Sequence, residues 1–131
     1  MDLTVTSEAL EAMIAHATRA APEECCGILY GSKERVERAE PVANVHPDPS
    51  RHFEIDPQAL LDAHRSAREG GAEVAGYYHS HPNGRAAPSE TDRASASGDG
   101  RIWAIVASGN VTFWRDEPDG FCALSYTVRP G

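Results

Sequence analysis

Three short apolar runs, Cys26–Tyr30, Val74–Tyr78 and Ile102–Ala107, constrain the fold more than any other feature of the chain. Each is only five or six residues long and is bounded by turn residues, so each reads as a buried strand rather than a helix. Gly31-Ser32-Lys33 turns the first run into a more polar strand over residues 35–42, expected nearer a sheet edge. Ser108-Gly109-Asn110 folds the third run into a hairpin with residues 111–115. A short strand opens the chain at residues 3–6, Phe53 and Ile55 alternate as a brief one, and residues 121–128 supply the last.

Helical signals fall between these strands. Ser7 stands where a cap is needed for a helix whose apolar residues Leu10, Met13, Ile14 and Ala17 recur at i, i+3, i+4 and i+7 and which ends before Pro22. Asp56-Pro57 begins a second helix, with Leu60, Leu61, His64 and Ala67 on one side and Gly70-Gly71 just past its end. A third, short helix is expected to begin at Ser89. Six or seven strands with two or three helices, neither strictly alternating nor segregated, define a mixed-sheet α/β or α+β fold. At 131 residues the chain is expected to form one domain, 1–131, around one core.

Charge narrows the partners. Twelve Lys and Arg against 20 Asp and Glu leave a net charge of −8, which repels phosphate backbones and anionic lipid, so no nucleic acid and no membrane are expected. The apolar runs fall far short of the roughly 18 residues of a membrane helix, and the N-terminus has no basic segment followed by an apolar one. Cys25, Cys26 and Cys122 are too few, and two of them too close together, for a disulfide framework. A reduced, cytoplasmic protein is expected, and the composition leaves a homodimer open.

The chemistry concentrates at the end of the second apolar run. Side chains two apart on a strand share a face, so His79 and His81 present two imidazoles together while Ser80 faces away. Eleven residues later Asp92, near the start of the short helix, can fold back as a third ligand. Two imidazoles and a carboxylate suit Zn²⁺ and leave an open fourth position, the mark of a catalytic site. Amide hydrolysis there also needs a general base. Glu24, just before the buried strand that starts at Cys26, is the candidate; period two aligns it with Cys26, Ile28 and Tyr30, and aligns Glu23 with Cys25 and Gly27. Plainer readings exist for each part alone: a His-x-His is more often polar packing, Ser89-x-x-Asp92 is close to a capping box, and Glu23 and Glu24 read as solvated loop charges. Cys26 reads as a small buried hydrophobe rather than a nucleophile.

Together, Pro22-Glu23-Glu24-Cys25-Cys26-Gly27, Gly76-Tyr77-Tyr78-His79-Ser80-His81-Pro82 and Pro88-Ser89-Glu90-Thr91-Asp92 resemble the signature of the JAMM, or MPN-plus, zinc metalloproteases, in their small prokaryotic (JAB-type) branch. The resemblance runs across most of the chain. It implies a mixed sheet flanked by helices, similar to that of cytidine deaminases, with His79, His81 and Asp92 as zinc ligands and Glu24 as general base and then acid. It also implies that Ser89 hydrogen-bonds the substrate carbonyl oxygen as negative charge develops. The implied substrate is an amide or isopeptide bond after the C-terminal Gly-Gly of a ubiquitin-like or sulfur-carrier protein. The alternative is a non-catalytic MPN-type interaction module, which relatives become when the ligands are lost. A nucleobase deaminase would need a downstream Pro-Cys-x-x-Cys, which the chain lacks.

Overall fold

The computed structural model describes residues 3–131. Its elements in chain order are β1 (Leu3–Thr6), α1 (Ser7–Ala20), β2 (Cys26–Ser32), β3 (Arg35–Val42), α2 (Pro57–Arg68), β4 (Val74–Ser80), α3 (Glu90–Ser95), β5 (Ile102–Ala107), β6 (Asn110–Glu117), β7 (Gly120–Leu124) and β8 (Tyr126–Arg129). All eight strands join one mixed sheet in the order β7-β6-β5-β4-β2-β3-β1-β8, with three helices packed around it, an α+β architecture. The pairs β1–β3, β1–β8 and β4–β5 are parallel and the others antiparallel.

The expected last strand, 121–128, divides at Ser125, and its halves pair at opposite ends of the sheet: β7 with β6, β8 with β1. One residue cannot span a flat eight-stranded sheet, where neighbouring strands lie about 4.8 Å apart, so the sheet must curl round until its edges meet. The closure is visible in Phe113 of β6 meeting Tyr126 of β8 edge to face at 4.8 Å. Helix α1 lies inside the curl, where Met13 and Ala9 pack with Val5, Leu29, Tyr78 and Phe113 in the main core. On the outer face a smaller cluster of Ile28, Tyr30 and Ala63 seats α2.

Several expectations are corrected by this architecture. Thr6 rather than Ser7 caps α1: with extended φ/ψ at the end of β1, its Oγ1 accepts the Ala9 N–H (3.2 Å). Strand β3 does lie one place nearer an edge than β2, but with β1 and β8 still outside it; it is polar because its outer face is uncovered, while Val36 and Ala39 are buried on the inner one. In α2 the buried residue is Ala63, and Leu61 is 59% exposed. The expected strand at Phe53 and Ile55 reduces to a single bridge between Asn44 and Ile55, because the Asn44 side chain takes the Glu54 N–H that a ladder would use. The tight turn between β5 and β6 conforms to the expectation, with Ser108 and Gly109 both at positive φ (51° and 78°), the geometry of a two-residue hairpin.

Strand β4 is central, hydrogen-bonded to β2 on one side and β5 on the other. Gly76 lets β5 approach: a Cβ there would collide with the backbone carbonyl of Ile102. Because backbone cannot move aside as a side chain can, Gly76→Ala is expected to cost about 3 kcal/mol or more, at or above the usual range for overpacking. Urea unfolding of the two proteins checks this.

Candidate metal centre

The β2–β4 register decides which side chains meet. Cys26 lies opposite His79 and Ile28 opposite Tyr77, so these residues share the outer face, and Glu24, two residues before Cys26, belongs to the same side. Ser80 points to the other face, where its Oγ accepts the Cys25 N–H (2.9 Å) while its own N–H donates to the Cys25 carbonyl (3.0 Å). The backbone beside Glu24 is thereby fastened to the residue between the two histidines. Glu24 is held further by its N–H to the Pro49 carbonyl (2.7 Å) and by Asn44 Nδ2 donating to its carbonyl (2.9 Å).

Asp92 arrives from the opposite direction. Ser89 caps α3 through a capping box in which the Asp92 N–H donates to Ser89 Oγ (3.0 Å) and the Ser89 N–H donates to Asp92 Oδ2 (2.9 Å). The carboxylate then spans both imidazoles, Oδ1 3.1 Å from His79 Nε2 and Oδ2 3.1 Å from His81 Nε2, and the two Nε2 atoms are 3.0 Å apart. All three side chains are buried. His81 Nδ1 sits 2.8 Å from the Arg85 carbonyl, which can only accept, so Nδ1 carries the proton and Nε2 presents the lone pair. Phe53 stacks on the His79 ring at 4.2 Å and Trp103 meets it edge-on at 5.8 Å, fixing its plane.

Burial holds the His79 pKa below its ordinary value and so favours the neutral ring. For His81 burial also lowers the pKa, but the Asp92 carboxylate, the Arg85 carbonyl and the nearby Glu24 together outweigh it and the net shift is upward. Burial alone would raise Asp92; bonds to the two imidazoles hold it well below the usual carboxylate range. Two imidazoles and one carboxylate thus converge as a donor set of net charge −1, suited to a divalent cation. Their mutual spacing of 3.0–3.1 Å is close to the roughly 3.3 Å between ligands about 2.0 Å from a tetrahedral zinc.

Glu24, His81, Ser89 and Asp92 line one cleft of about 330 Å³, with His79 beneath. Burial pushes the Glu24 carboxyl up to about 7; the nearby His81 opposes this shift and Asp92 adds to it. Since the Ser89 hydroxyl accepts from Asp92, its own hydrogen is free to donate. Every site residue expected from the sequence is therefore brought to this one place. Two others carry no signal in the sequence. Asn44, in a stretch that reads only as loop, bonds the carbonyls of Glu24 and His52 and the N–H groups of His46 and Glu54, and Phe53 reads only as part of a strand. Cys26 is fully buried and its thiol is pushed up to about 12 by burial and neighbouring negative groups, the reverse of an activated nucleophile.

Residues 6–117 match the family of prokaryotic homologs of the JAB domain, and the chain belongs to that family. It is 33% identical over 134 residues to a desampylase of Haloferax volcanii, covering 97% of this chain and 96% of that protein. It is 45% identical over 83 residues to a probable TtuB-protein conjugate cleaving protease of Thermus thermophilus, covering 63% of this chain and 55% of that one. A protein of Desulfitobacterium hafniense solved in solution superposes with a TM-score of 0.84 at 30% identity, over 98% of this chain and 94% of its own.

The raised Glu24 pKa has a consequence for the metal-free protein. A carboxyl whose folded value is about 7 against 4.5 in the unfolded chain stabilises the fold fully below about 4.5 and loses that contribution as pH rises through about 7. In the presence of a chelator, Glu24→Gln, which mimics the protonated form, is expected to raise the melting temperature at pH 8 and to do so less at pH 5. An equal effect at both values would contradict the burial argument.

Proposed function

We propose that the chain is a zinc-dependent peptidase or isopeptidase that hydrolyses the amide bond after the C-terminal Gly-Gly of a ubiquitin-like or sulfur-carrier protein. The observation that carries this reading is the convergence of His79, His81 and Asp92, all buried, with Glu24 on the rim of the same cleft. Zinc held by these three residues supplies Lewis acidity for amide hydrolysis. Glu24 takes the proton of the attacking water and returns it to the leaving nitrogen, and a carboxyl near 7 is suited to both halves of that exchange. Ser89 donates its hydroxyl hydrogen to the carbonyl oxygen as negative charge develops. The substrate class draws support from relatives named a desampylase and a protein-conjugate cleaving protease.

Residues 1–131 serve as one catalytic domain in this reading, acting on a protein tail without nucleic acid or membrane. No helix among the described residues is long and apolar enough to cross a membrane, and Cys25, Cys26 and Cys122 are free thiols, which supports work in the reducing cytoplasm.

Elemental analysis of protein purified without added zinc is expected to find about one zinc per chain in the wild type and none in His79→Ala, because three ligands are the minimum of such a site. Protein that takes up no metal even on reconstitution would leave the interaction module as the better reading. Glu24→Gln should retain the metal yet lose about 10²–10⁴-fold in kcat, the range for a positioned acid–base group. Ser89→Ala should lose about 10²–10³-fold in kcat, together with about 1 kcal/mol of stability through the lost cap. Steady-state kinetics on a carrier protein extended beyond Gly-Gly, with metal content measured in parallel, checks both.

A further inference from the structure

A groove leads away from the metal cleft along the outer face of β4, walled by α2 on one side and by residues 95–101 on the other. Phe53 and Ser95 line both the cleft and the next hollow, an apolar trough of about 410 Å³ with Tyr77, Leu60 and Trp103. Asp99 is shared between that trough and a third hollow of about 520 Å³ at the far end of β4. This last hollow is basic in an acidic chain: Lys33, Arg68 and Arg101 line it, with His64 beside them. Its acids are Glu73 and Asp99, and Arg101 already engages Asp99 at 3.0 Å. Lys33 and Arg68 form no ion pair among the described residues. A further cation, Arg115, ties the two rims together by donating to the carbonyls of Gly100 (2.9 Å) and Lys33 (2.7 Å).

The distance from His79 back to Val74 is five strand residues, roughly 17 Å at about 3.3 Å each, the reach of an equally long extended peptide. A tail whose Gly-Gly lies at the metal cleft would therefore bring the base of that tail, where the partner's folded body begins, to the basic hollow. The leaving side of a carrier extended by one or a few residues is too short to do so. Resting on the function proposed above, we infer that Lys33 and Arg68 form a docking point for acidic side chains on the folded body of the ubiquitin-like partner, separate from the residues that handle the scissile bond. Opposite charges placed in this way steer and retain a partner without touching the chemistry.

The test compares two probes in the full-length zinc-loaded protein: a ubiquitin-like carrier protein reading through Gly-Gly into a reporter peptide, and its last six residues as a free peptide with the same reporter. Wild type is expected to prefer the carrier, with a preference that shrinks as salt rises. The Lys33→Glu/Arg68→Glu double variant should raise KM for the carrier about tenfold with kcat retained, so that the carrier-to-peptide ratio of kcat/KM collapses. Matching thermal melts of the two proteins exclude misfolding, and the charge-conserving Lys33→Arg/Arg68→Lys double variant should keep the preference. An undiminished ratio in the double variant, or an equal loss on both probes, overturns the docking point while leaving the peptidase reading intact. Wild type that cleaves neither probe removes that reading, and the docking point with it.

Discussion

Everything at the candidate metal centre depends on the antiparallel register between β2 and β4. Cys26 opposite His79 puts Glu24 on the histidine side of the sheet, and a slip of one residue would turn Glu24 and every neighbour to the opposite face. The two hydrogen bonds between Ser80 and Cys25 make that slip costly, because both residues are buried and neither bond could be replaced by water. Ser80 thus holds the site together from the far side of the sheet, although its side chain never faces His79, His81 or Asp92.

The second constraint is electrostatic. Asp92, His79 and His81 are close enough to share protons, and burial penalises any net charge they carry without a partner. The shifts run in opposite directions at the two imidazoles, down at His79, where burial dominates, and up at His81, which is bonded to the Asp92 carboxylate and the Arg85 carbonyl. A divalent cation at this point would satisfy all three donors at once. Glu24, half-buried on the rim, is pushed in the opposite direction from Asp92, so two carboxyls in one cleft hold very different proton affinities. In the function proposed above, that separation would let a single cleft keep one carboxylate as a ligand and leave the other to exchange protons.

Much of the site was legible in the sequence because its parts are local: an i, i+2 pair on a strand, a Ser-x-x-Asp that fixes Asp92, and Glu24 two residues before Cys26-Gly27, where the family resemblance puts its base. What the sequence did not disclose are relations set by the curl of the sheet. Strand β3 reads as nearer an edge than β2 because polar residues crowd it, and it is, yet the two strands outside it depend on pairings far apart in sequence, and only an uncovered outer face is recorded in its composition. The break at Ser125 is equally silent, since both halves of residues 121–128 have ordinary strand character. Asn44 escaped for a different reason: an asparagine that organises a loop through four hydrogen bonds is indistinguishable by type from one that faces water.

Helix α2 departs from its sequence pattern in the most informative way. Leu60, His64 and Ala67 do lie on one side of the helix, as their spacing requires, but they are half-buried, and only Ala63 reaches the core. A helix that presents its apolar side to a groove rather than to a core keeps the same periodicity while burying less, so pattern alone cannot separate the two. Here the difference has a physical cause in the sheet: the outer face beneath α2 offers only the small cluster of Ile28, Tyr30 and Ala63, whereas α1 occupies the inside of the curl and takes the main core. Helix α2 can therefore be spared from packing, and the face left over becomes one wall of the groove that runs from the cleft beside His81 and Asp92 to Arg68. Stability comes from inside the curl, which leaves the outside of β4 free to be shaped for a partner.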